Sequence, residues 1–370
     1  MEELSRAGME DDVSIYVARR IHSIMDVYQV DTESGEVRYY GIPKEEEIER
    51  TVQELDRTVR NDGYVLELND DKGEHVVTLS SREESFPWLN LILACLTFLT
   101  TLAVGTAWYN INPSENPFSL LRGLPFAVSV MGVLAAHEFG HYLLARRHGV
   151  EASLPYFIPF PSLIGTLGAV INVRGHIPDR RALFDIGIAG PLLGLVATIL
   201  VTVVGLKMPV VETSAAENAE GIVLHFPPLY HIIKDIVGSP PGVESPNINP
   251  NPVVVGGWVG MFLTFLNLLP VGQLDGGHIL KATLGDRARY IGYGVPVVLF
   301  SLGVYVHFVL DKLATVWFFW GVLILILGVV GSVDLPNRGM DLGWKRKILA
   351  IVVLAFGLLV FTPVPIELTG

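Results

Sequence analysis

Apolar stretches close to the length of a bilayer crossing recur along most of this chain, and they limit its fold more than any other feature. A helix needs about 20 mainly apolar residues to cross the hydrocarbon. Stretches of that order are read at Trp88–Tyr109, Pro125–Ala145, Ala182–Leu206, Val253–Leu269, Arg289–Leu310, Leu313–Ser332 and Ile348–Thr362, with Val253–Leu269 the shortest. Composition agrees: 50% of the residues are hydrophobic and 17% charged, against roughly 25% charged in a soluble domain. Disorder, collagen and a disulfide scaffold are excluded. The lone cysteine, Cys95, allows neither an intramolecular disulfide nor a cysteine-based zinc cluster. The expected fold is a polytopic α-helical membrane protein of about seven transmembrane helices with a small N-terminal α/β soluble domain.

Charge divides the chain in the same way. The net charge of −12 arises before residue 87, where 22 acidic and 10 basic residues stand; the rest carries 16 of each. The expected domains are therefore an acidic α/β domain at 1–86 and a transmembrane domain at 87–370. An acidic head does not suit nucleic acid, because phosphate is met by clustered Lys and Arg. Met1 is not followed by a basic-then-apolar run, so no signal peptide is expected. Within the head, Glu36–Gly41, Tyr64–Leu68 and His75–Leu79 read as strands, the last two joined by an Asp-Asp-Lys-Gly turn. Glu45–Val59 reads as a helix with Ile48, Val52, Leu55 and Val59 at helical spacing, and Val13–Met25 as a further helix.

Lys and Arg in short loops set orientation. One set of loops holds twelve (Arg146, Arg147, Arg174, Arg180, Arg181, Lys281, Arg287, Arg289, Arg338, Lys345, Arg346 and Lys347) and the other four (Arg122, Lys207, Lys234 and Lys312). The basic side, with the N-terminus, is expected to be cytoplasmic, and the Lys207–Pro252 connection external, with a short amphipathic helix at Leu229–Val237. The stretch Ala152–Val173 is apolar but broken by Pro155, Pro159, Pro161, Gly165 and Gly168. Non-helical backbone survives at membrane depth only where protein or a water cavity satisfies it, so a re-entrant hairpin or loop is expected there.

The sharpest chemical signal is His137-Glu138-Phe139-Gly140-His141, an H-E-x-x-H motif inside an apolar helix. Residues four apart on a helix differ by about 40° in direction, so the two imidazoles share a face and form a pair of metal ligands. Glu138 flanks that face, where it can take a proton from water at the metal. Three ionisable groups in one buried turn are costly without a function. A catalytic zinc takes three protein ligands and a water, and the candidates for the third are Asp185, Asp275, His278 and His307. Asp275 lies in Asn267-Leu-Leu-Pro270-Val-Gly-Gln-Leu-Asp275-Gly-Gly-His278, where Pro270 ends a helix and glycines permit a tight turn that can aim a carboxylate back at a metal. Gly190-xxx-Gly194 and Gly256-xxx-Gly260 read as close helix contacts. Gly165–Val173 has the composition of a strand whose edge could take up an extended peptide by strand addition.

Taken together, H-E-F-G-H on one membrane helix and N-x-x-P-x-x-x-L-D-G further on resemble the site-2 protease family of intramembrane zinc metalloproteases. The resemblance runs from about Leu124 to Arg289 and takes in Gly165-Thr-Leu-Gly168 and Ala189-Gly190-Pro191-Leu-Leu-Gly194. It is most similar to the subgroup of prokaryotic proteases and plastid ethylene-dependent gravitropism-deficient proteases. The resemblance implies one zinc ion per chain on His137, His141 and Asp275. Glu138 would be general base and later proton donor, acting on zinc-bound water, and Asn267 would hydrogen-bond the tetrahedral intermediate. Gly165, Gly168, Ala169, Val170 and Asn172 are the expected substrate contacts. The implied activity is regulated intramembrane proteolysis: hydrolysis of peptide bonds in or near transmembrane segments of protein substrates within the lipid bilayer. A regulator at the N-terminal domain and a prokaryotic plasma membrane location complete the expectation. The competing classes are a transporter or metal carrier and a non-catalytic membrane scaffold.

Overall fold

The computed structural model describes residues 12–33, 35–44, 48–59, 62–71, 74–81, 86–107, 116–174, 177–209, 221–239, 251–329 and 341–369. The expected features at Glu45–Glu47, Lys72–Gly73, Tyr109 and Arg338 lie outside them. The chain forms two compact units, Met1–Phe86 and Pro87–Gly370.

In the first unit, α1 (Asp12–Ile24) leads into β1 (Met25–Glu33), β2 (Glu36–Pro43), α2 (Ile48–Val59), β3 (Tyr64–Asp71) and β4 (Glu74–Ser81). The strands form one antiparallel sheet in the order β1-β2-β4-β3. Alternation aims Val37 and Tyr39 of β2, Tyr64 and Leu66 of β3 and Val77 and Leu79 of β4 at one face. There they meet Val17, Ile21 and Ile24 of α1 and the Ile48, Val52, Leu55 and Val59 stripe of α2. The buried Asp56 carboxylate accepts from the Leu66 amide at 2.9 Å and fixes α2 against β3. Strand β1 was not expected from the sequence. A bulge between Val27 and Gln29 interrupts its period-two pattern, which hides the strand from alternation.

The second unit is mainly helical. Its helices are α3 (Trp88–Ala107), α4 (Leu124–Arg147), α5 (Arg180–Lys207), α6 (Pro228–Val237), α7 (Pro252–Asn267), α8 (Asp275–Leu284), α9 (Ala288–Phe308), α10 (Thr315–Val329) and α11 (Trp344–Leu359). Among the described residues, four helical stretches are long and apolar enough to cross a membrane: Trp88–Ala107, Pro117–Arg147, Arg180–Lys207 and Asp275–Phe308. All seven expected stretches contain a helix, yet the count of about seven spans is not reached by length. Helices α7 and α11 have 16 residues and α10 has 15, so each extends about 23–24 Å against a hydrocarbon core of ~30 Å. Proline and glycine set the limits of the first and last: Pro252 and Pro270 bracket α7, and Gly343 precedes α11.

Helices α4, α5 and α7 interlock through small residues. A Cβ built at Gly256 would strike Ser129 of α4, and one at Gly257 or Gly260 would strike Thr202 or Thr198 of α5. This is the close contact by which helices associate in lipid, where apolar burial gives little net drive. Several hydroxyls in these contacts return to their own helix: Ser129 Oγ donates to Pro125 O (2.7 Å), Thr202 to Thr198 O (2.8 Å) and Thr264 to Gly260 O (2.7 Å). Phe126, Val130 and Leu134 of α4 complete the core with Trp258, Val259 and Phe262 of α7, Leu299 of α9 and Trp317 of α10.

The proline- and glycine-broken segment is a hairpin. β5 (Glu151–Ala152) pairs with β8 (Val173–Arg174), and β6 (Tyr156–Pro159) pairs with β7 (Thr166–Val170), both antiparallel. Helix α3 holds it: Asn90 Nδ2 donates to Leu154 O at 2.7 Å, and Thr100 Oγ1 to Gly165 O at 2.7 Å. Side-chain hydrogen bonds to backbone carbonyls then gather like ends. Arg180 Nε donates to Ala282 O, and Arg181 Nε to Asp341 O, bringing the start of α5, the end of α8 and the segment before α11 to one side.

At the other end, Lys207 Nζ donates to Val237 O, and β9 (Gly221–Leu224) pairs antiparallel with β10 (Ile366–Thr369). Lys312 and His225 both bind Glu367 of β10. The Lys312 hydrogen bond, then that from His225, holds the Glu367 carboxyl below its ordinary range. A depressed carboxyl contributes stability above its unfolded pKa and loses it as pH falls through the folded value. Protection of the Ile366–Thr369 amides, the exchange rate relative to the intrinsic rate at each pH, is therefore expected to be high at neutral pH and to fall on acidification below the ordinary glutamate range. Glu367→Gln should be less protected at neutral pH and lose that pH dependence; unchanged protection in the variant would contradict the pairing of Glu367 with Lys312 and His225.

Candidate metal centre

The two histidines of H-E-x-x-H sit in the interior half of α4. His137 is 4% exposed, Glu138 4% and His141 7%. One helical turn separates the imidazoles, whose ring centroids stand 4.9 Å apart. The carboxylate comes from another part of the chain. Helix α7 ends at Asn267, the segment through Pro270 and Gly272 turns with Gly272 at φ +41°, and Asp275 is the first residue of α8. Gly276 follows where a Cβ would overlap the Leu268 carbonyl, so only glycine lets the chain fold back this tightly.

The result is a convergence of three donors. His137 Nε2 lies 2.9 Å from Asp275 Oδ2, His141 Nε2 lies 3.1 Å from Asp275 Oδ1, and the two Nε2 atoms are 3.2 Å apart. A tetrahedral dication with bonds of about 2.0–2.1 Å separates its ligand atoms by about 3.3 Å. The donor spacing fits such an ion with little adjustment, and His137, His141 and Asp275 form the group able to hold one among the described residues. His141 Nδ1 is 2.8 Å from Ile186 O, the hydrogen bond that turns the Nε2 lone pair toward the centre. Asn267 Nδ2 stands 3.2 Å from His137 Nε2, beside the same space. Glu138 is outside the ligand triangle, and its carboxylate is met by the Ile171 backbone, between β7 and β8.

Helix α5 supplies the floor. A Cβ at Gly140 would overlap the Ala189 carbonyl, one at Gly190 would overlap the His141 ring, and one at Gly194 would stand 2.9 Å from His137 Nδ1. The Gly190-xxx-Gly194 pair expected to pack helix on helix thus packs helix on imidazole. The other candidate ligands lie elsewhere. Asp185 is paired with Arg346 and His148, His278 rests its Cβ against Gly187, and His307 is exposed beside Phe308.

The expected substrate contacts divide. Gly165 (φ +86°) is buried where the α3 backbone at Thr101 leaves no room for a Cβ, so its glycine serves the hairpin's attachment. At Gly168 a Cβ would meet open space; Ala169 pairs with Phe157, Val170 is 51% exposed, and Asn172 is exposed with its amide on Ser153 Oγ. Among the described residues β7 pairs only with β6, so its outer edge is unpaired. Sequence reasoning missed the Ile186 carbonyl, which has no side-chain signature, and the imidazole floor, for which Ala189-Gly190-Pro191 was the available signal.

The model of peptidase family M50 matches residues 125–309, half of the chain, including His137, Glu138, His141, Asn267 and Asp275. The chain belongs to this family. Among its relatives, the Arabidopsis thaliana protein named probable zinc metalloprotease EGY1, chloroplastic, is 31% identical over 246 residues, 66% of this chain and 43% of that protein. The Oryza sativa subsp. japonica protein of the same name is 32% identical over 247 residues, covering 66% and 41%. Arabidopsis EGY2, also named a probable zinc metalloprotease, is 29% identical over 256 residues, covering 69% and 44%. The chain thus spans less than half the length of these relatives. No solved structure matches it.

The family assignment leaves the floor open to direct test. Gly190→Ala is expected to weaken divalent-metal binding roughly tenfold or more, on the scale of other ligand-orienting contacts. Gly132→Ala on α4, where a Cβ meets open space, should leave binding unchanged. Titration calorimetry on the two variants checks this, and wild-type affinity in Gly190→Ala would contradict it.

Proposed function

We propose that the chain is an intramembrane zinc metalloendopeptidase that hydrolyses peptide bonds in or near transmembrane segments. The observation that carries this is the meeting of His137, His141 and Asp275 with Glu138 beside them and Asn267 across from them. Two imidazoles and one carboxylate suit zinc, and three protein donors leave a position for water or substrate. The names of the relatives support the same metal. Zinc held there would polarise the scissile carbonyl and make water a competent nucleophile near neutral pH.

The remaining steps belong to the protein. Glu138 takes a proton as water adds to the carbonyl carbon, then delivers it to the amide nitrogen as the C–N bond breaks. Asn267 places its side-chain amide where the carbonyl oxygen gains charge. A peptide bond inside a helix is shielded by its own hydrogen bonds, so the substrate must open before it can react. The free edge of β7 gives the opened backbone new partners, with Gly168, Ala169, Val170 and Asn172 along the contact. A transporter or an inert scaffold has no need of a further carboxylate, that of Glu138, beside the metal ligands.

The same proposal covers the chain's setting. The protein is embedded in a bilayer, with the shorter α7, α10 and α11 packed among the four long spans to complete a seven-crossing bundle. Helix α7 is buried along most of its length, so protein rather than lipid surrounds it. The N-terminal unit is acidic and would serve as a dock for substrate or regulator. The expected prokaryotic plasma membrane gains no support from the relatives, which are named as chloroplastic.

Glu138→Gln tests the chemistry. It is expected to keep zinc and lose cleavage of a membrane-embedded substrate by ~10²–10⁴-fold, the usual share of a general acid–base group. Zinc analysis and a reconstituted cleavage assay read both quantities, and cleavage at the wild-type rate would overturn the role of Glu138.

A further inference from the structure

A second cluster of ionisable groups lies beside the metal centre, at the basic end of the bundle. Arg346 of α11 grips Asp185 of α5 with two hydrogen bonds, Nε to Oδ1 and Nη2 to Oδ2, both 2.8 Å. His148 Nε2, at the end of α4, reaches Asp185 Oδ2 at 3.1 Å. The Asp185 side chain is 21% exposed, so it sits largely out of water, where a carboxylate requires partners. An Arg fork is the strongest and most directional of them.

The position of Asp185 gives the cluster its significance. The next residue is Ile186, whose carbonyl holds His141 Nδ1 at 2.8 Å. His141 and His148 are seven apart on α4, two turns along one face. They bind consecutive residues of α5, one through a carbonyl and the other through a side chain. The Asp185 contacts thus fix the height and rotation of the α5 backbone where it orients a ligand. Helix α11 also meets the element that carries the third ligand: Ala350 and Val353 pack in one core with Leu183 and Phe184 of α5 and Ile279 of α8. Arg346 lies beyond residues 125–309, the part matched by the family model.

We infer that Asp185, held by Arg346 and His148, is a positioning residue for the metal centre, through which the C-terminal helix sets the orientation of His141. The inference rests on the zinc reading above. Loss of the clasp frees the Ile186 carbonyl to move, and His141 with it, while all three ligands remain in the chain. Contacts of this kind to metal-bound histidines commonly change affinity by 10–100-fold.

The test is zinc affinity of the purified full chain, measured by competition with a chelator. Asp185→Asn and Arg346→Gln are each expected to bind zinc about 10–100-fold more weakly, and the double variant no more weakly than the worse single. Lys347→Gln removes an exposed neighbouring pair on the same helix, 2.7 Å from Asp341, and should retain wild-type affinity. That control separates positioning from a general loss of charge at the start of α11. If Arg346→Gln does not fold, Arg346→Lys, which keeps the charge but loses the fork, should bind with intermediate affinity. Wild-type affinity in Asp185→Asn and in the foldable Arg346 variant overturns the inference and leaves the zinc reading intact. An equal loss in Lys347→Gln, or fully additive losses in the double variant, also overturns it. Failure of the wild-type chain to bind zinc overturns both.

Discussion

Two membrane helices, α4 and α5, approach until backbone meets backbone at Gly140 and Ala189, and the chemistry of the protein depends on that approach. In lipid such contact must come from small side chains, because apolar surfaces gain little by leaving one another's company for acyl chains. Here the small residues do more than bring helices together. The room left by Gly190 and Gly194 is filled by His141 and His137, so the packing surface and the ligand-bearing surface are the same. A larger residue on α5 would move the imidazoles and part the helices at once.

The same economy extends outward. Many of the polar groups drawn into the bundle find a defined partner: hydroxyls on their own helix, the hairpin's Gly165 carbonyl on Thr100, Asp185 on Arg346 and His148, His141 on the Ile186 carbonyl. Unpaired, such groups would be costly in the low dielectric of the membrane. Paired, they convert a soft apolar assembly into one that holds donor atoms to within a few tenths of an ångström, which coordination requires. The non-helical hairpin survives because α3 supplies its missing partners at Asn90 and Thr100. Among the described residues β7 pairs only with β6, so the hairpin stays open along its other edge.

Much of this was legible in the residues. H-E-x-x-H fixes two ligands by helical geometry alone, and Pro-x-x-x-Leu-Asp-Gly-Gly signals a turn able to return a carboxylate. The choice among Asp185, Asp275, His278 and His307 was not legible from spacing, because it depends on which helix ends meet in space; the resemblance to a family supplied it. Helix positions followed from apolar length, but the number of crossings did not. Helices α7, α10 and α11 are shorter than a bilayer, and their setting depends on neighbours rather than on hydropathy. Strand β1 escaped notice because a bulge breaks its alternation. The Asp185 clasp joins residues 161 positions apart, a distance over which local pattern carries no information.

Zinc content of the purified full chain tests the central claim most directly, that two helices distant in sequence close on one ion. The wild type is predicted to carry about one zinc per chain, as a three-ligand protein site with one open position does. Asp275→Ala is predicted to keep its fold and lose most of that zinc. Retention of a full complement of zinc in Asp275→Ala would contradict the account, because the ion would then be held without the carboxylate that unites α4 with α8.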